Sequence, residues 1–164
     1  MREPSVAAAH NLSPSLVNST FAIERTYDAA PARVFEAWAD QALKSRWFGA
    51  PGSTEHQLDF RIGGRELNRG GPPGGPVFTY DALYYDIVED ERIVIAYEMY
   101  MDDTRISVSV ATVEFSPAGT GTRLLLTEQG AFLDGHDTPA QREHGTGELL
   151  DKLGAALERQ PATP

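Results

Sequence analysis

The sequence predicts an α+β domain: a strongly curved antiparallel sheet of about six or seven strands, two short helices near the start, and one long C-terminal helix over its apolar face. Three observations predict it. Residues between Phe21 and Gly130 alternate apolar and polar over run after run. The joins between those runs are too short for crossover helices, so neighbouring strands pair antiparallel. The last segment carries leucines at helical spacing.

The elements follow in order. "STFAIERTYDA" places Phe21, Ile23 and Arg25 on one face of a first strand. "APARVFEAWAD" opens a helix with Pro31 at its first position and sets Val34 and Trp38 four apart on one side. Asp40 caps a second short helix, "QALKSRWF", with Leu43 and Trp47 as its apolar pair; Gly49 and Pro51 end it. "EHQLDFRIGG" alternates, with Leu58, Phe60 and Ile62 on one face, and "RELNR" returns as a short strand. "PVFTYDALYYDIV", "RIVIAYEMYM", "TRISVSVATVEF" and "TRLLLTEQG" complete the sheet, joined at "EDE", "DD" and "SPAGTG". In "TPAQREHGTGELLDKLGAALERQ", Thr138 caps and Pro139 starts a helix whose buried stripe is Leu149, Leu153 and Ala156 with Leu150 and Leu157.

The chain has 164 residues, enough for one core-forming domain, placed at residues 19–160 between a flexible tail over 1–18 and a short end over 161–164. It has no cysteine and therefore no thiol chemistry. The net charge of −10 opposes binding to nucleic acid and to anionic membranes. No apolar run approaches a membrane span, and "VAAA" is too short for a signal peptide, so a cytoplasmic protein is expected.

"RIGGRELNRGGPPGGP" holds six of the 15 glycines beside three arginines, a composition that invites comparison with phosphate loops. A P-loop needs a Lys after the glycines and then a helix; here a strand-like segment follows. Gly63–Gly64 is read as a tight bend and "GGPPGGP" as a hairpin loop.

The ordered series "ERTYDAAPARVFEAWADQALKSRWFG", "LDFRIGGRE", "YYDIVEDERIV", "GTRLLLTEQG" and "GELLDKLGAAL" resembles the SRPBCC, or START-like, superfamily. Within it the chain is similar to the branch related to the C-terminal domain of the heat-shock chaperone ATPase activator. The resemblance covers residues 21–157. It implies the helix-grip fold, with the last helix held against a curved sheet over a cavity that in many members takes small apolar molecules. Many relatives carry Trp where Thr146 stands after Gly145, which implies a roomier cavity here. The resemblance also implies a homodimer.

Candidate site residues come from strand parity and helix faces. Trp38, Trp47 and Phe48 serve either as plain core or as an aromatic wall for a ligand. His56 shares the parity of Leu58 and Phe60 and is expected inward, as a structural or a ligand-facing residue. Glu66 and Asn68 fall where relatives often have large apolar residues facing the cavity. Glu128 is in phase with Leu124 and Leu126, and Tyr97 with Ile93, Ile95 and Met99. A carboxylate buried without a partner tends to be neutral, so Arg105, Arg65 and Arg69 are the candidate ion partners. Each parity assignment flips if a bulge intervenes. His10, His56, His136 and His144 lack zinc-ligand spacing, no metal or other cofactor is expected, and neither G-x-S-x-G nor Cys offers a nucleophile.

Three functions follow. The first is a module enclosing a small apolar or aromatic ligand that also carries a hydrogen-bond donor or a cation. The second is an enzyme of the cyclase or hydrolase type, as in some relatives, using cavity acids and bases. The third is co-chaperone regulation, with a chaperone as partner, which only the family resemblance implies.

Overall fold

A computed structural model describes residues 14–49 and 53–159. The order is β1 (Leu16–Tyr27), α1 (Pro31–Ala39), α2 (Gln41–Lys44), β2 (Ser53–Leu58), β3 (Arg65–Gly70), β4 (Phe78–Val88), β5 (Arg92–Met101), β6 (Thr104–Ala118), β7 (Gly121–Leu133) and α3 (Pro139–Arg159). The strands form one seven-stranded sheet in the order β1-β7-β6-β5-β4-β3-β2. Every pairing is antiparallel. The expected α+β helix-grip architecture is therefore present. Most of the tail expected over 1–18, and the end over 161–164, lie outside the described residues, as does Pro51. The first strand nevertheless starts at Leu16 rather than Ser19, because Leu16 still pairs with Leu133.

Consecutive strands from β2 to β7 are joined by turns, whereas β1 and β2 occupy opposite edges of the sheet. Helices α1 and α2 make that crossing. Pro31 stands at the start of α1, and the Asp40 carboxylate accepts the Leu43 N–H at 2.9 Å to cap α2. α2 is one turn long, and Gly49, at φ 106°, ends the segment. Its buried pair is Lys44 and Trp47 rather than Leu43 and Trp47; Leu43 is only half-buried. β2 is also shorter than expected. Residues 59–64 turn, and Ile62, assigned inward by alternation, is 60% exposed.

The glycines of that turn serve backbone geometry. Gly63 adopts φ 82°, and a Cβ on Gly64 would meet the Asp59 carbonyl oxygen at 2.0 Å. The Gly63 N–H donates to the Tyr84 carbonyl at 2.8 Å and the Gly64 N–H to the Arg61 carbonyl at 2.8 Å. Both donors that a phosphate would need are thus taken by the protein itself. Further on, the Gly75 N–H closes a turn onto the Pro72 carbonyl at 3.0 Å inside the β3–β4 loop.

α3 lies across the concave face. Thr138 caps it, its hydroxyl accepting the Gln141 N–H at 3.1 Å. Leu150, Leu153 and Leu157 are buried, and Leu149 and Ala156 pack partly buried beside them. Polar contacts fix its register. The buried Tyr27 hydroxyl donates to the Leu150 carbonyl at 2.7 Å, and Arg33 donates to the Leu157 carbonyl. Gly154 lets the Tyr27 ring approach the helix: an added Cβ would stand 3.2 Å from it. Leu153 is fully buried. Leu153→Ala should therefore destabilise the domain by about 2–5 kcal/mol, measured by denaturant unfolding. A change below about 0.5 kcal/mol, the size typical of surface sites, would contradict this placement of α3.

Candidate functional site

Between α3 and the concave face lies a pocket of about 380 Å³. Its aromatic wall is built by Trp38, Trp47 and Phe48 at one end and by Phe78, Tyr80 and Tyr97 from β4 and β5. The wall is continuous: ring centroids are 4.8 Å apart for Trp38–Trp47, 5.8 Å for Trp47–Phe48, 4.9 Å for Phe48–Tyr80 and 4.8 Å for Tyr80–Tyr97. Met99, Asn68 and Leu126 add to the floor, while Gly145, Thr146 and Leu149 of α3 close the top. Thus Trp38, Trp47, Phe48, Asn68, Tyr97, Met99, Glu128, Gly145 and Thr146 all line one space.

Four residues expected there do not line it. Phe60 packs edge-on against Phe35 and Tyr84, in the core. His56 and Glu66 point inward, as expected, but belong to a separate buried cluster. Arg105 faces outward: a register shift between Met99 and Tyr100 turns it over, and it lies on the Tyr100 ring with Glu98 at 3.5 Å. Arg65 and Arg69 also point away from the interior, toward Asp81 and Glu55. None of the three arginines is the ion partner assigned to the buried glutamates.

The separate cluster centres on Glu66. Its Oε1 accepts from Lys44 Nζ and from the Tyr84 hydroxyl, each at 2.6 Å, and its Oε2 lies 2.7 Å from His56 Nε2. His56 Nδ1 in turn meets the Ser45 hydroxyl at 2.7 Å. Lys44 and Glu66 have no exposed side-chain surface, and the ammonium sits 4.4 Å from the Phe48 ring centre and 5.2 Å from that of Trp38. Burial opposes ionisation of Glu66. The Lys44 charge and the bonds from His56, Lys44 and Tyr84 outweigh it and hold the carboxyl below its ordinary value of 4.5. Glu66 thus has an ion partner, but it is Lys44 in place of the expected Arg105, Arg65 or Arg69. With every strong partner internal, this cluster fastens α2 to β3 beneath the aromatic wall.

Glu128 differs. The Tyr97 hydroxyl donates to its Oε1 at 2.5 Å. Arg142 of α3 donates to the Tyr97 hydroxyl at 2.9 Å, to Ser107 at 2.7 Å and to Asp137 at 2.9 Å, but stands 3.6 Å from Glu128 Oε2. That is too long for a hydrogen bond. Among the described residues, three buried side-chain atoms have no hydrogen-bond partner: Oε2 of Glu128 and Nε1 of Trp38, both in residues lining the pocket, and Oγ of Ser109, which does not line it. Burial pushes the Glu128 carboxyl above 4.5, against the opposing pull of Tyr97 and Arg142. Burial and the Glu128 charge likewise push the Tyr97 hydroxyl far up, so it remains a donor.

The sequence reading missed Lys44, Tyr84, Tyr80, Asp137 and Arg142. Arg142 was legible: it precedes Thr146, Leu149 and Leu153 at helical spacing, on the stripe that faces the sheet. Among the described residues, no group of His, Asp and Glu is placed to hold a metal ion, and no helix is long and apolar enough to cross a membrane.

Comparison with known proteins supports the same architecture. Residues 28–158 match the family model described as Activator of Hsp90 ATPase homolog 1-like protein. A crystal structure of a Rhizobium loti protein is 48% identical, covering 87% of this chain and 99% of its own, with a TM-score of 0.82. A Rhizobium leguminosarum protein is 43% identical over 90% of this chain and 99% of its own, with a TM-score of 0.86. A Chromobacterium violaceum protein, 23% identical with a TM-score of 0.73 over 86% of this chain and 98% of its own, shares the fold. No curated protein matches the chain significantly.

The Glu66 cluster makes a stability prediction. Lys44→Met should cost about 3–5 kcal/mol, because it leaves a buried carboxylate without its main counter-charge, and Lys44→Met/Glu66→Leu should cost less than Lys44→Met alone. Because the folded-state value of Glu66 is depressed, its contribution is complete above the unfolded value and is lost as pH falls through the folded one. Urea unfolding of these variants and of the parent, from neutral pH into the acid range, tests both statements. A double variant as unstable as Lys44→Met, or an acid dependence identical in Glu66→Gln, would refute them.

Proposed function

This chain belongs to the Activator of Hsp90 ATPase homolog 1-like family, and within it we propose that the domain works by enclosing one small molecule with an aromatic or compact apolar body. The observation that carries this reading is the pocket of about 380 Å³ between α3 and the sheet, of a size suited to such a ligand. Its walls are mostly aromatic and aliphatic, so they favour an apolar body by the area they remove from water. Three of its polar groups, Tyr97, Glu128 and Arg142, meet at one place, and such groups orient a ligand.

The buried, unpartnered Oε2 of Glu128 favours binding over a purely structural interior. A polar atom left without a partner costs stability, and a ligand supplying that partner recovers it. Chaperone ATPase activation, named in the family description, concerns a protein partner and draws no support from this internal site. The enzymatic alternative would assign Glu128 a proton-transfer role, with Tyr97 and Arg142 positioning it.

Two measurements test the binder. Native mass spectrometry of the purified full chain should reveal a retained small molecule, or a stoichiometric complex once an aromatic probe such as 1-naphthol is added. The same probe should quench or shift tryptophan emission, since Trp38 and Trp47 both line the pocket. Glu128→Gln should change affinity severalfold without abolishing binding. A probe that binds while both tryptophans stay silent would place the site elsewhere. A turnover reduced about 10²–10⁴-fold in Glu128→Gln would show an enzyme instead.

A further inference from the structure

One property of the pocket distinguishes among ligands with similar apolar bodies. Five charged side chains line it: Glu128, Asp137 and Glu148 against Arg142 and Lys152. Arg142 is already engaged, its guanidinium bonded to Asp137, Ser107 and Tyr97. Glu148 and Lys152 are solvent-exposed on α3, where their fields are screened. The charge left over inside is that of Glu128, 3% exposed, supported by one tyrosine hydroxyl and a guanidinium 3.6 Å from its second oxygen.

The surroundings suit a positive charge. Six aromatic rings, those of Trp38, Trp47, Phe48, Phe78, Tyr80 and Tyr97, line the same space, and their faces attract cations. The domain already builds such an arrangement once, on the far side of Phe48. There Lys44 Nζ lies against the Trp38 and Phe48 rings and donates to the buried Glu66. Around Glu128 the carboxylate and the aromatic rings recur, but the chain's cation there, Arg142, stands 3.6 Å off and donates no hydrogen bond to Oε2. The protein's net charge of −10 also raises the local concentration of cations.

Resting on the binding role proposed above, we infer that the pocket selects an aromatic or compact apolar amine whose ammonium donates to Oε2 of Glu128. Oε2 is covered in this structure, so the entering ammonium takes the space that the Arg142 guanidinium partly fills, while Asp137 and Ser107 keep hold of the guanidinium. The ammonium then gives Oε2 the hydrogen-bond donor it lacks, since Arg142 at 3.6 Å pairs with it by charge alone.

The inference has a pH signature. The titratable and charged groups around Glu128 are Tyr97 on β5, Tyr80 on β4, Asp137 before α3, and Arg142 on α3, with Glu148 and Lys152 at the pocket edge. No histidine lines the pocket among the described residues. An ammonium binds the ionised carboxylate, and burial raises the value at which Glu128 takes up its proton. Affinity for an amine should therefore fall as pH falls toward that raised value, and affinity for a neutral ligand should not.

Three probes with one phenyl body test this in the full chain by tryptophan fluorescence and calorimetry: phenethylammonium, 2-phenylethanol and phenylacetate. Phenethylammonium should bind about tenfold or more tighter than 2-phenylethanol at neutral pH, and phenylacetate most weakly. On acidification from neutral pH toward the value that burial raises for Glu128, the amine's advantage should shrink while the alcohol's affinity stays flat. Glu128→Gln, checked for native circular dichroism, should bring amine and alcohol within about threefold and remove the pH dependence, which separates Glu128 from Asp137. The wild-type pH series stands alone if that variant does not fold. Equal, pH-independent binding of amine and alcohol would overturn this inference and leave the binder intact, as would a preference for phenylacetate. Silence of all three probes would overturn both.

Discussion

A single helix must cover the concave face of a seven-stranded sheet, and the rest of the structure follows from that mismatch. α3 touches the sheet along a stripe of Leu150, Leu153 and Leu157, which is too narrow to fill the curve. The chain compensates at one side. Because β1 and β2 sit at opposite edges, the α1–α2 crossing has to pass over the opening, and it brings Trp38, Trp47 and Phe48 with it. What remains between these rings, the sheet and the first half of α3 is the pocket. The space is thus a consequence of topology, and side-chain size only trims it. Gly145 and Thr146 trim it less than a large residue would.

Two buried glutamates in the same interior show how much the partner decides. Glu66 receives three short bonds, from Lys44, Tyr84 and His56, and its ionised form is favoured despite burial. Glu128 receives one, and burial wins. The difference is geometric. Lys44 reaches Glu66 from a one-turn helix beside β2, whereas Arg142 is drawn aside by Asp137 and Ser107 before it reaches Glu128. One carboxylate is thereby a fastening, and the other keeps an oxygen without a hydrogen-bond donor.

Strand parity made much of this legible from the sequence. Glu66, Asn68, Tyr97 and Glu128 all face inward because their strands keep a strict alternation through those positions. Parity failed where the backbone broke it. The register shift beside Met99 turns Arg105 outward and buries both Ile106 and Ser107, and the turn after Leu58 exposes Ile62. Alternation also says nothing about which side chains meet, so two inward positions, Glu66 and Glu128, looked alike. Lys44 was hidden for another reason. A lysine in a polar-looking stretch reads as surface, and only its position three before Trp47 and four before Phe48 places it on the buried side.

Conformational freedom is limited where the interior polar groups are placed. Tyr97 and Glu128 stand on central strands bonded on both sides, β5 between β4 and β6, and β7 between β6 and β1. Their donor–acceptor pair is consequently preorganised. Arg142 and Asp137, by contrast, sit at the start of α3 and in the loop before it, where an element end gives more easily than a strand centre. A rigid carboxylate facing a guanidinium on a yielding helix end is an arrangement in which the counter-charge can move while the acid stays still. On the binding role proposed above, discrimination would follow from what can replace Arg142 beside Glu128, and the apolar walls would contribute affinity with little selectivity.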